Sequence, residues 1–585
     1  MKIIPALLLS VGFFPCLSAV SFGQTADVKL SDFFKQYLEK VFPTRPVEAT
    51  HLGEHRFDDR MDDLSAEARA GWVELDRQTL AELPRQVDCN ALSSAGKVDY
   101  EIFKHNLTQS LWTAENLRPF EDDPRVYNGY INDSVYLLLT QSTLPKEKNI
   151  ANAIARMEQI PKIVAAAKKN LRNPPRVHTE TAVRQNQGAI GFYEHDIFDL
   201  AGDTPQRDSL KKAAQSVVAC LKEHQKYLEG ELLPRASGEW RLGKDKFAQK
   251  LDFDLDAGLS ADQVLAQAEM EFTRVERDMY VIARQLWSHC FPGKTLPPDD
   301  AEGRHATIAE VLGKIGQEHG KPEDLTGDAR KTVAQIKNFI TENDILHLPA
   351  PDRCQVVEMP EFKRGNSTAY MQSAPPLDLE TVSFFAVSPP PKDWDFAKVQ
   401  SFLEEYNSHM LQILTIHEAY PGHYVQHAYG SRNPSLIRQV LGSGAYVEGW
   451  AVYTEQMMLD QGYGGGDLAL RLTQLKFYLR AVTNAILDHK MHCSGMTDEE
   501  AMRLLAHDAF QSEGEARLKV IRAKQSACQL STYFVGRMAM HRLRQQIQRE
   551  LGEQFNLGRY HEAVLAEGAV PVKFLPALVK ERVAK

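Results

Sequence analysis

Cysteine is scarce in this sequence, with seven among 585 residues, and no two stand at the close spacing of a zinc knuckle or a redox pair. After Cys16 come Cys89, Cys220, Cys290, Cys354, Cys493 and Cys528. Their even number permits disulfides in an exported chain, but wide, irregular spacing fits scattered buried thiols better. A block of Lys and Arg is also missing. The net charge of -10, from 78 acidic and 68 basic residues, is spread along the chain, which excludes a nucleic-acid footprint. Beyond the N-terminus no run approaches the roughly 20 apolar residues that span a bilayer. There is no repeat of fixed period, and Gly464-Gly465-Gly466 lacks the following Lys-Ser/Thr of a phosphate loop. What is present, 43% apolar and 25% charged residues, is the make-up of a folded soluble protein.

The N-terminus reads as a secretory signal. Lys2 precedes an apolar run from Ile3 to Val20, broken by Pro15, and the stretch Ser21-Phe22-Gly23 offers a cleavage point before Gln24 or Thr25. Residues 1–23 are therefore expected to be removed, leaving a periplasmic or secreted chain with no stable membrane span. Pro15 weakens the alternative of a membrane anchor. Because Pro15, not a small residue, precedes Cys16, a lipidation signal is not expected.

The rest is expected to be mainly α. Ser260 followed by Gln263 forms a capping box ahead of Val264, Leu265, Ala268, Phe272, Val275 and Met279 at helical spacing. Similar periodicity covers 149–170, 208–230, 327–343, 396–428, 445–461, 467–492, 497–508, 514–526 and 529–552. Short β-type runs, Gln355 to Glu358, Ser367 to Gln372 and Thr381 to Ser388, predict a small antiparallel sheet just before the chemistry.

That chemistry lies in His417-Glu418-Ala419-Tyr420-Pro421-Gly422-His423. A His-Glu pair on an apolar helix with a second His behind it matches the residue types of a zinc peptidase: imidazoles hold the metal and the adjacent Glu activates water. The spacing departs from the usual one. Four residues return to within about 40° of the starting face of a helix, whereas six land about 240° round. His417 and His423 share a metal only if the helix unwinds between them, and Pro421 with Gly422 supplies that break. Glu448, opening the helix after Gly442-Ser443-Gly444, offers a carboxylate to complete a His₂Glu site. Glu455, two turns on, is either a supporting or substrate-binding group or a solvated acid. Two other readings compete: chelation by His423 and His427 alone, and a Pro-kinked core helix carrying surface histidines.

The motif His417-Glu418-x-x-Pro421-Gly422-His423-x-x-Gln426, with Glu448-Gly449-Trp450-Ala451, resembles the bacterial domain of unknown function 885 family, regarded as helical, zincin-like zinc metallopeptidases. The stretch Pro43 to Ser65, then Arg480 with Asp488-x-x-x-His492, and Gln529-Leu530-Ser531-x-Tyr533-x-x-Gly536 are also similar to it. Tyr424 and Ala527-Cys528 depart, standing where members often have His and Pro-Gly. The resemblance implies one helical zincin-like body over 24–585, with lobes 27–250 and 251–585 about a cleft. It also implies one Zn²⁺ per chain on His417, His423 and Glu448, with Glu418 as general base and a peptide as substrate. Tyr533 and His492 are the candidate oxyanion donors, Asp488 would orient His492, and Arg480 on the same helix would be a supporting or substrate-binding group. Tyr370, in the second β run, would lie on an edge strand able to pair with a peptide. An amidase or esterase on a non-peptide substrate, or a zincin-shaped binding protein without turnover, stays open from sequence, as does the oligomeric state.

Overall fold

The structure, a computed structural model, describes residues 18–359, 369–390 and 394–584. Residues 1–17 of the expected signal, and Ser367 and Thr368 of the second expected strand, lie outside them. Among the described residues no helix is long and apolar enough to cross a membrane, and all six cysteines from Cys89 to Cys528 are free thiols.

The fold is mainly helical with one small sheet. The helices numbered here are α1 (Ser18–Val41), α2 (Arg125–Thr140), α3 (Lys146–Met157), α4 (Arg207–Tyr227) and α5 (Ala261–Cys290). The capping box at α5 forms as expected: Ser260 Oγ accepts from the Gln263 N–H while Gln263 Oε1 accepts from the Ser260 N–H. This satisfies two of the donors a helix start leaves open. The buried stripe of α5 runs through Val264, Ala268, Val275 and Met279.

Buried apolar side chains form one large core that draws on residues 26–107 as well as 247–579. A second core is built from Leu64 and residues 127–232, chiefly on α2, α3 and α4. A lobe boundary at residue 250 therefore cuts through the large core, because the first helices pack on the later ones. Arg156 joins the second core to the early chain. Fully buried, it donates to Ser134 O (2.8 Å), Thr50 Oγ1 (2.6 Å) and Arg60 O (2.9 Å), so its donors stay paired away from water.

The sheet comprises β1 (Cys354–Glu358), β2 (Ala369–Gln372) and β3 (Ser383–Val387) in the order β1-β3-β2. It is mixed where an antiparallel sheet was expected: β1 is parallel to β3, and β2 antiparallel to it. The physical reason is the central place of β3. Its buried run Phe385-Ala386-Val387 suits a strand covered on both faces, so β1 and β2 become its two neighbours and do not pair with each other.

The expected helical run 396–428 is three helices: α6 (Phe396–Glu405), α7 (Ser408–Glu418) and α8 (His423–Gly430). Asn407 starts α7 by accepting from the N–H groups of His409 and Met410. The break between α7 and α8 falls on Pro421 and Gly422, where the sequence placed it. Four further helices surround it: α9 (Gly444–Asp460), α10 (Leu468–Cys493), α11 (Glu513–Gln525) and α12 (Ser531–Leu551).

Candidate metal centre

The centre is assembled by the helix break. A side chain at Gly422 would put its Cβ 1.8 Å from His417 O, so only glycine lets the chain turn back over the end of α7. Trp450 Nε1 donates to Pro421 O (2.8 Å) and ties the turn to α9. His423 thereby comes round to His417, with ring centroids 4.9 Å apart and planes at 87°.

Glu448 on α9 faces both rings. Its Oε2 lies 3.7 Å from His417 Nε2 and 3.6 Å from His423 Nε2, and ligand atoms of the three residues all lie within 4.8 Å of one another. Four ligands about 2.0–2.1 Å from a tetrahedral Zn²⁺ would be separated by about 3.3–3.5 Å. The observed gaps are too long for hydrogen bonds and close to what a shared cation requires. Glu448 Oε2 is buried with no hydrogen-bond partner among the described residues. A buried carboxylate oxygen in that position needs a positive charge beside it, so the donor set fits a divalent metal. His427 stays outside: its ring lies 6.5 Å from that of His423, which does not favour chelation by that pair alone.

Electrostatics point the same way. Burial opposes charge on Glu448, yet the imidazoles of His417 and His423 hold it well below the usual carboxylate range. Burial likewise opposes charge on His417, but Glu448 and Glu455 raise it well above an ordinary imidazole.

Glu455 is not a solvated acid. Fully buried, its Oε1 lies 2.7 Å from His417 Nδ1, an arrangement that fixes the tautomer and aims Nε2 at Glu448. Glu418 is buried beside the cluster and, chiefly through burial, raised above the ordinary carboxylate range. Its Oε2 accepts from the Met371 N–H of β2 (2.8 Å), which brings the edge strand to the proposed base. Tyr370 on that strand donates to Gln372 Oε1 (3.1 Å).

Tyr533 is placed by a close crossing of helices. A Cβ on Gly449 would lie 2.3 Å from Gly536 C, and one on Gly536 would lie 1.8 Å from Ala445 O. With no side chains between them, α9 and α12 touch backbone to backbone, one residue from Glu448 and one turn from Tyr533. Tyr533 lines a cavity of about 100 Å³ together with His417, Glu418 and Glu455. Its hydroxyl accepts from Arg522 Nη2 (2.9 Å) and Gln529 Nε2 (3.3 Å). With both acceptor positions used, its proton is free to be donated elsewhere, and burial, then Glu448, keeps the phenol protonated.

Two expected residues are not brought to the centre. His492 lies nearly flat on Phe247; its Nε2 donates to Ala523 O (2.9 Å) and its Nδ1 receives the Leu242 N–H at 3.4 Å. Asp488 does not orient it: the carboxylate accepts from Cys528 N (2.9 Å) and Ser531 Oγ (2.7 Å), anchoring the start of α12. Both corrections have one cause, that the buried face of α10 is wide and these residues look away from the cavity. Arg480, on the same helix, does line it, but donates to Glu405 Oε1 (2.6 Å) and Gln511 Oε1 (2.5 Å).

Sequence reasoning missed Lys519, Arg522, Asn484 and Phe477, which also line the cavity. The only local signal was the three-residue spacing of Lys519 and Arg522, which an ordinary solvated helix face shares.

The model of a bacterial protein family of unknown function, DUF885, matches residues 46–579, and the chain belongs to that family. Among solved structures it is similar to a "putative lipoprotein of unknown function" from Shewanella oneidensis. The identity is 30% and the TM-score 0.77, over 94% of this chain and 99% of that one. It also shares the fold of a "putative lipoprotein" from Colwellia psychrerythraea, at 19% identity and a TM-score of 0.76, over 96% of this chain and 99% of that one. Among curated proteins, none matches the chain.

Proposed function

We propose that this DUF885 chain is an exported zinc-dependent peptidase, with His417, His423 and Glu448 as metal ligands and Glu418 as general base. The observation that carries the reading is the buried, unpartnered Glu448 Oε2 held between two imidazole nitrogens at 3.6 and 3.7 Å. Export rests on the N-terminal sequence and agrees with the description of the relatives as lipoproteins.

When bound, Zn²⁺ supplies Lewis acidity, lowering the pKa of a coordinated water toward about 7 and polarising a substrate carbonyl. The side chains do the rest. Glu418, dehydrated and held by the Met371 N–H, takes the proton of the attacking water and passes it to the leaving amine. Water adds to the carbonyl carbon to form the new C–O bond and an oxyanion; the C–N bond breaks as the carbonyl re-forms and the nitrogen takes the proton from Glu418, leaving a carboxylate and an amine. Glu455 keeps His417 in the ligating tautomer. Tyr533 gives its free proton to the oxyanion as a hydrogen bond. Strand β2 is at the edge of the sheet with its Met371 N–H held by Glu418, so an extended peptide would pair along the remainder of that edge.

The test is hydrolysis of a peptide mixture followed by mass spectrometry. Wild-type protein should cleave it, and Glu418→Gln should bind zinc while leaving the peptides intact. Unchanged cleavage by that variant would remove Glu418 as base, and no cleavage by zinc-loaded wild type would remove the peptidase reading.

A further inference from the structure

Helix α11 brings a different chemistry to the same cavity. Lys519 and Arg522 stand three residues apart, on one face of the helix, and both line the space that holds His417, Glu418 and Tyr533. Lys519 is only 8% exposed. Burying a cation is costly unless an anion meets it, and the carboxylates nearby are already taken. Glu405 pairs with Lys476 (2.8 Å) and Arg480 (2.6 Å). Glu515 accepts the Tyr406 hydroxyl (2.9 Å) and pairs with Arg480 (3.4 Å).

Lys519 Nζ stands 3.8 Å from Glu515 Oε1, beyond hydrogen-bond length. The hydrogen bonds of Arg522 go to neutral groups, Gln529 Oε1 and the Tyr533 hydroxyl, each at 2.9 Å. Glu405 and Glu515 are thus shared among Lys476, Arg480 and Lys519, Glu448 acts on Lys519 and Arg522 only from a distance, and among the described residues no carboxylate hydrogen-bonds either Lys519 or Arg522. Burial, then the charge of Arg522, pulls the Lys519 ammonium down to about 7. An entering carboxylate would relieve both.

We infer that Lys519 and Arg522 bind a carboxylate of the substrate, the free C-terminus of a short peptide, so that the enzyme removes residues from the C-terminal end. This rests on the peptidase reading above. The opposite polarity, capture of a free N-terminal amine, needs an uncommitted carboxylate in the cavity. Glu418 is held as base and Glu515 by its own pairs; Glu455 Oε2 has no partner among the described residues, but it is fully buried on a carboxylate whose Oε1 already holds His417. An amidase for neutral substrates would gain nothing from two cations that no carboxylate hydrogen-bonds.

The test separates binding from turnover by using zinc-loaded Glu418→Gln protein. Dansyl-labelled hexa-alanine is titrated as the free acid, as the C-terminal amide, and as an amide ending in Glu. The free acid should bind about tenfold tighter than either amide. Lys519→Met should abolish that preference while zinc content stays unchanged. Equal affinity for acid and amide, no binding of either, or a preference that survives Lys519→Met overturns the inference. If the amide ending in Glu binds as well as the free acid, the carboxylate belongs to an acidic side chain, and the assignment to the chain end falls. Comparing peptides on one protein keeps the test valid even if Lys519→Met misfolds. Should the preference appear while wild-type enzyme leaves the free acid uncut, the carboxylate site stands and the peptidase reading is lost.

Discussion

His417 and His492 are both buried histidines on helices that line one core, and they meet opposite surroundings. His417 has a carboxylate near each ring nitrogen, Glu455 at 2.7 Å and Glu448 at 3.7 Å. His492 has a backbone carbonyl, a backbone amide, and the rings of Phe247 and Trp240. Burial works against charge in both. In His417 the carboxylates overcome it and raise the imidazole well above 6.5; in His492 nothing does, and it falls to about 4. The two histidines are therefore distinguished by what faces their ring nitrogens, and burial by itself says little.

If this contrast is sound, changes around His417 cost chemistry and changes around His492 cost stability alone. The largest effect should come from Glu418→Gln, with kcat down about 10³-fold and zinc retained, read by peptide hydrolysis and metal analysis. Tyr533→Phe comes next, at about 10²-fold in kcat with KM little changed, because it removes a donor aimed at the transition state. Glu455→Gln should weaken zinc binding about 10-fold to 100-fold, measured by competition with a chelator, since the ring of His417 loses its orienting carboxylate. On the other side, His492→Phe should keep full zinc content and lower the unfolding free energy by about 1–3 kcal/mol, because Ala523 O loses its donor.

The smallest readout is a slope. His492 is held down in the folded protein, so the unfolded chain binds its proton first as pH falls. Its contribution is intact above about 6.5 and is lost as pH drops toward about 4. Across that window the stability of His492→Phe should fall less steeply than that of wild type, by at most about 1.4 kcal/mol per pH unit. Equal slopes in chemical denaturation would show that His492 is not held neutral.

Much of the centre was legible because its signals are local. The break at Pro421-Gly422 follows from six-residue spacing, and Glu448 follows from its place at the start of a helix. The wide reach of Glu455 was half legible: two turns from Glu448 puts it on the same face, but only packing shows that His417 waits there. The sheet was legible as three strands and not as a topology, since the central place of β3 depends on which strand is covered on both faces. His492 and Asp488 show the converse error. A four-residue spacing reads as a pair, yet Asp488 serves Cys528 in the turn before α12 and Ser531 at its first residue. Lys519 and Arg522 had no distinctive local sign, because a cationic helix face ordinarily points to water.

The most direct test is the metal content of the folded chain by mass spectrometry of the purified protein and its variants. Wild type, Glu418→Gln and His492→Phe should each carry one zinc per chain, and His417→Ala should carry none while remaining folded by circular dichroism. Zinc retained in His417→Ala, or absent from wild type purified with zinc supplied, would contradict the assignment of His417, His423 and Glu448 as a metal centre.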